Sequence, residues 1–175
     1  MTRPIQLNRR DLLKLGVGAS IALSTAGLVA TMSGATPDQP HAGMKVLRST
    51  DMPVLAALFP AFVGPHSMLD APAIQASIRQ LDFTLAHSST QTQKDVLQLL
   101  GLLSFAATRG PLTGIWGAIE QASPAQMDAL LLRWRDSRLD MLRQGYKALG
   151  QLLLMSWYAL PQSWEAAGYP GPPVI

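Results

Sequence analysis

Cysteine is absent from this chain of 175 residues. Its absence excludes disulfides, cysteine-ligated iron–sulfur clusters, covalently attached c-type haem and a thiol nucleophile. Charged residues make up only 14% of the sequence, well below the share of about a quarter that is typical of soluble domains. Aromatic residues are also scarce, at 6%. A surface this poor in charge favours a protein that covers part of itself against a partner.

The positive net charge is confined to the N-terminal end of the chain. Four of the fourteen basic residues and one of the eleven acidic residues fall within the first 35 residues, which leaves ten of each in the remainder. A neutral remainder gives no support to nucleic-acid binding. We therefore predict no nucleic-acid partner.

Motifs for catalysis, metal binding and nucleotide binding are also missing. The histidines His41, His66 and His87 fall in predicted linkers or turns. HExxH, GxGxxG, GxxxxGK[ST] and Gly-x-Ser-x-Gly do not occur in the sequence. We predict a chain that is not an enzyme, with no catalytic residue, no metal site and no cofactor of its own.

The N-terminal segment matches the pattern of a twin-arginine export signal. This pattern is a polar residue, two arginines, any residue and two apolar residues. Residues 8–14 read Asn-Arg-Arg-Asp-Leu-Leu-Lys. The residues that carry the signal are Arg9, Arg10, Leu12 and Leu13.

The residues after this motif predict export of the chain. A mildly apolar stretch covers 15–32, and small residues at 33–35 suit a cleavage site near Ala35. We predict a signal peptide over residues 1–35, the twin-arginine translocase as a partner, and a periplasmic location. The alternative is a leader retained as a membrane anchor, because about 18 apolar residues can just cross a bilayer.

Past the leader, helical periodicity dominates and no convincing strand pattern occurs. We predict an all-α fold, a small bundle of four to six helices with an extended Pro/Gly/aromatic C-terminal arm. The predicted divisions are a linker at 36–48, a helical domain at 49–159 and the arm at 160–175. The predicted helices cover about 50–62, 70–87, 90–108 and 124–135, and a fifth helix follows an interruption at 136–137 and continues to about residue 158. One unbroken helix through the last two is the alternative. Residues 112–121 form a loop with one or two helical turns.

Two segments stand out by their composition. Residues 133–143 hold four arginines together with Asp136 and Asp140, a mixture that favours a salt-bridged helix face or a charged docking strip. The last twenty residues hold four aromatic residues beside several prolines. Aromatic side chains on a proline-stiffened segment lose little entropy on docking, so this segment is a candidate partner-binding surface.

The run from Tyr158 to Pro172 resembles the C-terminal signature of the gluconate 2-dehydrogenase subunit 3 family. Its members are small subunits of membrane-associated flavin dehydrogenases. They share an ending in which an aromatic residue, Pro and Trp precede Gly-Tyr-Pro-Gly-Pro, and commonly begin with a twin-arginine leader. The expected partner-binding residues are Trp157, Tyr158, Trp164, Gly168, Tyr169, Pro170, Gly171 and Pro172.

The resemblance implies a non-catalytic accessory subunit that binds, stabilises and co-exports a folded dehydrogenase. The partner would be a large flavoprotein of the glucose–methanol–choline type, which carries FAD, and a multihaem cytochrome c can accept its electrons. The complex could bring the chain to a membrane. The alternative is a free-standing periplasmic helical ligand-binding protein, with a pocket lined by Trp116, Trp134 or Trp157.

Overall fold

A computed structural model of the chain describes residues 39–64, 68–166 and 168–171. The predicted all-α class is confirmed, because these residues form helices and turns without a strand. The described helices are α1 (Asp51–Val63), α2 (Ala71–Ala86), α3 (Thr90–Ser104), α4 (Ala106–Thr113), a 3₁₀ turn (Ile119–Gln121), α5 (Pro124–Arg135), α6 (Asp140–Tyr158) and α7 (Gln162–Ala166).

Helix α1 lies at the centre of the bundle. It packs against α2, α3, α5, α6 and the 3₁₀ turn. Its sequence is apolar on nearly every side, and such a helix has to be buried on all faces. Val54, Leu55, Leu58 and Phe59 are accordingly shielded from solvent.

Local capping signals account for two helix starts that the sequence predicts. Asp70 caps α2 by accepting a hydrogen bond from the Ala73 backbone N–H at 2.8 Å. Ser123 and Gln126 form a capping box at the start of α5, each side chain bonded to the other's backbone N–H. Each cap satisfies N–H groups that have no partner inside the helix.

The predicted third helix is wrong at its C-terminal end. The chain breaks at Phe105, and α4 continues through Pro111 to Thr113. The end of α3 is satisfied by side chains, since Thr108 Oγ1 donates to the Leu102 carbonyl at 2.7 Å and Arg109 Nη1 donates to the Ser104 carbonyl at 3.0 Å. This break, together with α7, gives seven α-helices in the described part of the chain instead of four to six.

The residues before α1 form an ordered loop, although residues 36–48 were expected to be a linker. Leu47 is completely buried, and an isolated antiparallel bridge joins Pro40 to Arg48. The buried carboxylate of Asp82, on α2, accepts the backbone N–H groups of Lys45, Val46 and Leu47 at 2.8–2.9 Å. We call residues 40–48 the N-terminal loop; its hydrogen bonds attach it to the bundle.

The extended C-terminal arm is not confirmed. Its described part begins with α7, a helix of five residues, and then turns at Gly168. The prolines that were expected to keep the whole segment extended lie on either side of α7, at Pro161 and Pro170. Proline disfavours a helix interior but tolerates the positions that flank one.

No helix among the described residues is long and apolar enough to cross a membrane. The apolar stretch at 15–32 and the predicted export residues Arg9, Arg10, Leu12 and Leu13 lie outside the described residues.

Candidate partner-binding site at the C-terminal end

Helix α6 positions the candidate site, and its buried face is shaped by two glycines. A Cβ at Gly145 would lie 3.2 Å from the Trp134 ring, and a Cβ at Gly150 would lie 2.9 Å from the Phe62 ring. Contacts below 3.4 Å are tighter than nine in ten real Cβ contacts. The absence of a side chain therefore lets two large rings pack directly on the α6 backbone.

The opposite face of α6 is exposed. Its C-terminal part carries no charged residue. Lys147 is the last charged residue before Glu165. In this interval Met155 is 59% exposed and Tyr158 is 51% exposed. Exposed apolar side chains without charged neighbours in sequence are typical of surfaces that bind another protein.

Trp164 folds back onto the end of α6. Its indole Nε1 donates a hydrogen bond of 2.9 Å to the Tyr158 carbonyl, one of the last carbonyls of the helix. The Ser163 hydroxyl, which is completely buried, donates to the Leu160 carbonyl at 2.7 Å. These bonds satisfy groups at the helix end and fix the position of the Trp164 ring.

Tyr169 and Gly171 complete a compact cluster around the Trp164 ring. The Tyr169 ring meets it edge to face at a centroid distance of 5.6 Å, and the Tyr169 N–H donates to the Trp164 carbonyl at 2.9 Å. A Cβ at Gly171 would lie 3.3 Å from the ring, and the backbone there has φ of +99°. Only glycine suits both the contact and the conformation. We call Trp164, Tyr169 and Gly171 the C-terminal cap.

The structure distributes the predicted partner-binding residues between core and surface. Trp157 is completely buried, so it supports the site from beneath and cannot contact a partner directly. Tyr158 and Tyr169 expose about half of their surface, at 51% and 49%. Gly168 and Pro170 are exposed, whereas Pro172 lies outside the described residues.

The tryptophans named for the alternative ligand pocket do not share one environment. Trp134 is buried, and its indole Nε1 donates to the Leu112 carbonyl at 2.9 Å. Trp157 is also in the core. Trp116 is 76% exposed and lies against Gly110, where a Cβ would come within 2.5 Å of its ring. The three rings therefore differ in burial, since two lie in the core and one lies on the surface.

The histidines that the structure describes make local contacts. His41 Nδ1 lies 3.0 Å from Ser49 Oγ, and His87 Nδ1 lies 2.7 Å from the Phe83 carbonyl. His66 lies outside the described residues. Within the described part of the chain, no three side chains of the metal-ligating types His, Cys, Asp and Glu form a group that could hold a metal ion.

The uncharged exposed face of α6 is the part of the site that motif-based reasoning missed. The sequence contains a signal for it, since the interval from Ala148 to Trp164 has no charged residue. Helical periodicity places Gln151, Met155 and Tyr158 on the side opposite the buried leucines. The packing of α7 against α6 decides which of the aromatic residues are exposed, and the sequence does not reveal this packing.

Comparison with known proteins yields no relative: no family model, no curated protein and no solved structure matches this chain.

Proposed function

We propose that this chain is a non-catalytic accessory subunit, which binds, stabilises and co-exports a folded FAD-dependent dehydrogenase through the twin-arginine pathway. The observation that carries the proposal is the exposed uncharged face of α6 next to the C-terminal cap. The resemblance of the leader and of the segment from Tyr158 to Pro172 to the gluconate 2-dehydrogenase subunit 3 family supports the identity of the partner.

The geometry of the cap suits a docking role. Trp164 is held by a hydrogen bond to the end of α6 and by the Tyr169 ring, so the exposed edge of this cluster is ordered before a partner arrives. Ordering in advance lowers the entropy cost of association. Tyr158 and Tyr169 then offer large, half-exposed aromatic surfaces of the kind that dominates binding energy at protein interfaces.

In this proposal the large flavoprotein carries FAD, the substrate site and the chemistry, and a multihaem cytochrome c accepts the electrons. The small subunit contributes the contact surface and the export signal. Because the twin-arginine translocase carries folded proteins, one leader on the small subunit can export both chains to the periplasm. Assembly into the complex would bring the small subunit to the membrane.

Co-purification tests the proposal. A tagged form of this chain, expressed together with the products of its neighbouring genes, should bring down a yellow flavoprotein in constant proportion. Purification of the tagged chain alone, without flavin absorbance, would contradict the proposal.

Matched variants test the surface itself. Tyr158→Ser and Tyr169→Ser should each lower the yield of co-purified flavoprotein by tenfold or more, on the order of the 2 kcal/mol that defines a hot spot. Phe83→Ser removes an aromatic ring of similar exposure, 55%, from α2 and should leave the yield unchanged. Equal yields from all three variants would place the interface elsewhere.

A further inference from the structure

The turn between α5 and α6 carries a second exposed surface, distinct from the C-terminal cap. We call residues 132–143 the α5–α6 hinge. Leu132, Leu139 and Met141 are exposed by 48%, 60% and 58%. Single exposed apolar side chains are ordinary on a protein surface, but three within ten residues form a local concentration.

The backbone of the hinge is held in place by hydrogen bonds. Ser137 accepts two of them, one from the Leu139 N–H to its hydroxyl at 3.1 Å and one from Arg143 Nη1 to its carbonyl at 2.7 Å. Trp134 and Leu142 are buried on the two sides of the turn. The exposed Leu139 and Met141 are therefore presented from a fixed turn.

Positive charge accompanies these apolar side chains. The hinge contains four arginines and two aspartates. Arg135 pairs with Asp136 at 2.9 Å and Arg143 pairs with Asp140, whereas Arg133 and Arg138 make no ion pair with any described residue. A hydrogen bond from Arg135 holds the pKa of Asp136 below its usual range, so this aspartate stays ionised and paired. The charges that remain unpaired are both positive.

The geometry points to the α5–α6 hinge as a contact site for the surface of an anionic lipid bilayer. Leu132, Leu139 and Met141 would enter the boundary between headgroups and acyl chains. Arg133 and Arg138 would face the lipid phosphates. A turn that combines apolar tips with unpaired cations matches both parts of such a surface. A nucleic acid would engage the arginines but would leave the apolar tips in water.

The position of the hinge keeps this contact apart from the proposed protein interface. Helix α6 has 19 residues, which corresponds to about 28 Å at 1.5 Å per residue. The hinge lies at its N-terminal end and the C-terminal cap at the other. The hinge can therefore contact lipid while the C-terminal cap binds a protein. The lipid contact does not depend on the proposed function.

A fluorescent label at the hinge tests the contact directly. Because the chain has no cysteine, Leu139→Cys in the full chain can be labelled at one site with a polarity-sensitive fluorophore. Vesicles of equal parts phosphatidylglycerol and phosphatidylcholine should shift its emission to the blue, and high salt should reverse part of the shift. Phe83→Cys, labelled in the same way on α2, should not shift.

Two results would overturn the inference. One is an unchanged emission of the Leu139→Cys label with the anionic vesicles. The other is an equal shift with vesicles of pure phosphatidylcholine, which would remove the role of the arginines.

Vesicle sedimentation of the full chain gives a second measurement, in which the leader is common to every variant. Arg138→Gln should lower the partition coefficient about fivefold, and Met141→Ser should lower it about tenfold. The matched controls are Lys94→Gln, which removes an exposed cation from α3, and Phe83→Ser. Both should leave the partition coefficient unchanged. Losses of the same size in the controls would show a general surface effect and would contradict the inference.

Discussion

At the scale of single residues, two buried aspartates organise the N-terminal loop. Asp51 is completely buried, and its carboxylate accepts hydrogen bonds from the Arg48 backbone at 2.8 Å and the Arg48 guanidinium at 2.9–3.0 Å. Arg48 Nη2 also donates to the Leu97 carbonyl, on α3, at 2.7 Å. Asp82 binds three successive backbone N–H groups of the loop. Buried carboxylates of this kind are tolerated only when their hydrogen bonds are complete.

Asp82→Ala should destabilise the domain strongly. The substitution leaves three N–H groups of the N-terminal loop without their acceptor, and the expected loss is about 2–4 kcal/mol in the free energy of unfolding. Urea denaturation followed by circular dichroism measures this loss. Asp95→Ala, at an exposed position on α3, is the matched control and should change stability by less than about 0.5 kcal/mol. A similar effect of the two substitutions would contradict the role assigned to Asp82.

At the scale of helices, packing in this bundle depends on where glycine stands. Gly150 lies against Phe62, whose ring also meets the Tyr146 ring at a centroid distance of 5.5 Å. Gly101 is also inside a helix, but a Cβ there would only touch the end of the Arg48 side chain at 3.6 Å. Packing therefore requires glycine at this position of α6, whereas the position in α3 has room for a side chain.

Alanine at these two positions should have opposite effects. Gly150→Ala should cost about 1–3 kcal/mol, because the new methyl group overlaps the Phe62 ring. Gly101→Ala should be neutral or stabilise by up to about 1 kcal/mol, since alanine is the better helix former. Thermal and urea unfolding of the two variants measure the difference. Stabilisation by Gly150→Ala would show that α1 and α6 can separate at little cost.

The start of α5 offers a second test at the same scale. Ser123→Ala removes one half of the capping box and should lower stability by about 1 kcal/mol. Ser123→Asp keeps an acceptor at this position and should restore most of the loss. Equal instability of the two variants would mean that the cap is not what holds the start of α5.

At the scale of the whole molecule, the C-terminal segment (residues 158–171) packs against the bundle and also offers an exposed surface for binding. Ser163 is buried and Trp164 is bonded to the end of α6, while Tyr158 and Tyr169 remain half exposed. The bundle itself is closed by Leu149, Leu153 and Trp157, which lie before the segment. Loss of the segment should therefore affect binding more than folding.

Truncation after Pro161 tests this separation. The shortened chain should keep nearly all of its helical circular dichroism, because α7 contributes only five helical residues, and it should fail to retain the flavoprotein in co-purification. A loss of helicity in parallel with the loss of binding would show that the segment belongs to the core.

Substitution in the leader tests co-export. Arg9→Lys together with Arg10→Lys should leave both this chain and the proposed flavoprotein partner in the cytoplasm, as cell fractionation would show. Arg3→Lys, a basic residue of the leader outside the motif, should leave export intact. If the flavoprotein still reached the periplasm in the double variant, it would possess its own route.

Local signals allowed some elements to be predicted residue by residue. The boundaries of α5 followed from the Ser123 cap and the polar residues at 136–137, and the predicted end of α6 at Tyr158 is confirmed. The end of the predicted third helix was wrong. There, Thr108 and Arg109 satisfy carbonyls of α3 through the tertiary arrangement of the α3–α4 break, which no local pattern encodes.

The candidate site was predictable only in outline. Composition marked residues 157–172 as unusual, but it could not separate the buried Trp157 from the exposed Tyr158. Adjacent residues on a helix point about 100° apart, so their burial depends on which neighbours cover each side. Burial of the N-terminal loop likewise depends on Asp82, 35 to 37 residues away in sequence.

The sequence by itself determined the all-α class, through helical periodicity and capping residues, because these act over a few neighbouring positions. It also contained the pattern of an export signal in residues 8–14. Only the tertiary structure decided that the N-terminal loop is clamped by Asp82, that Trp157 is core, and that the C-terminal segment folds back around Trp164. These features depend on contacts between elements that are distant in sequence. Such contacts form only when the fold brings the two surfaces together, so no local pattern predicts them.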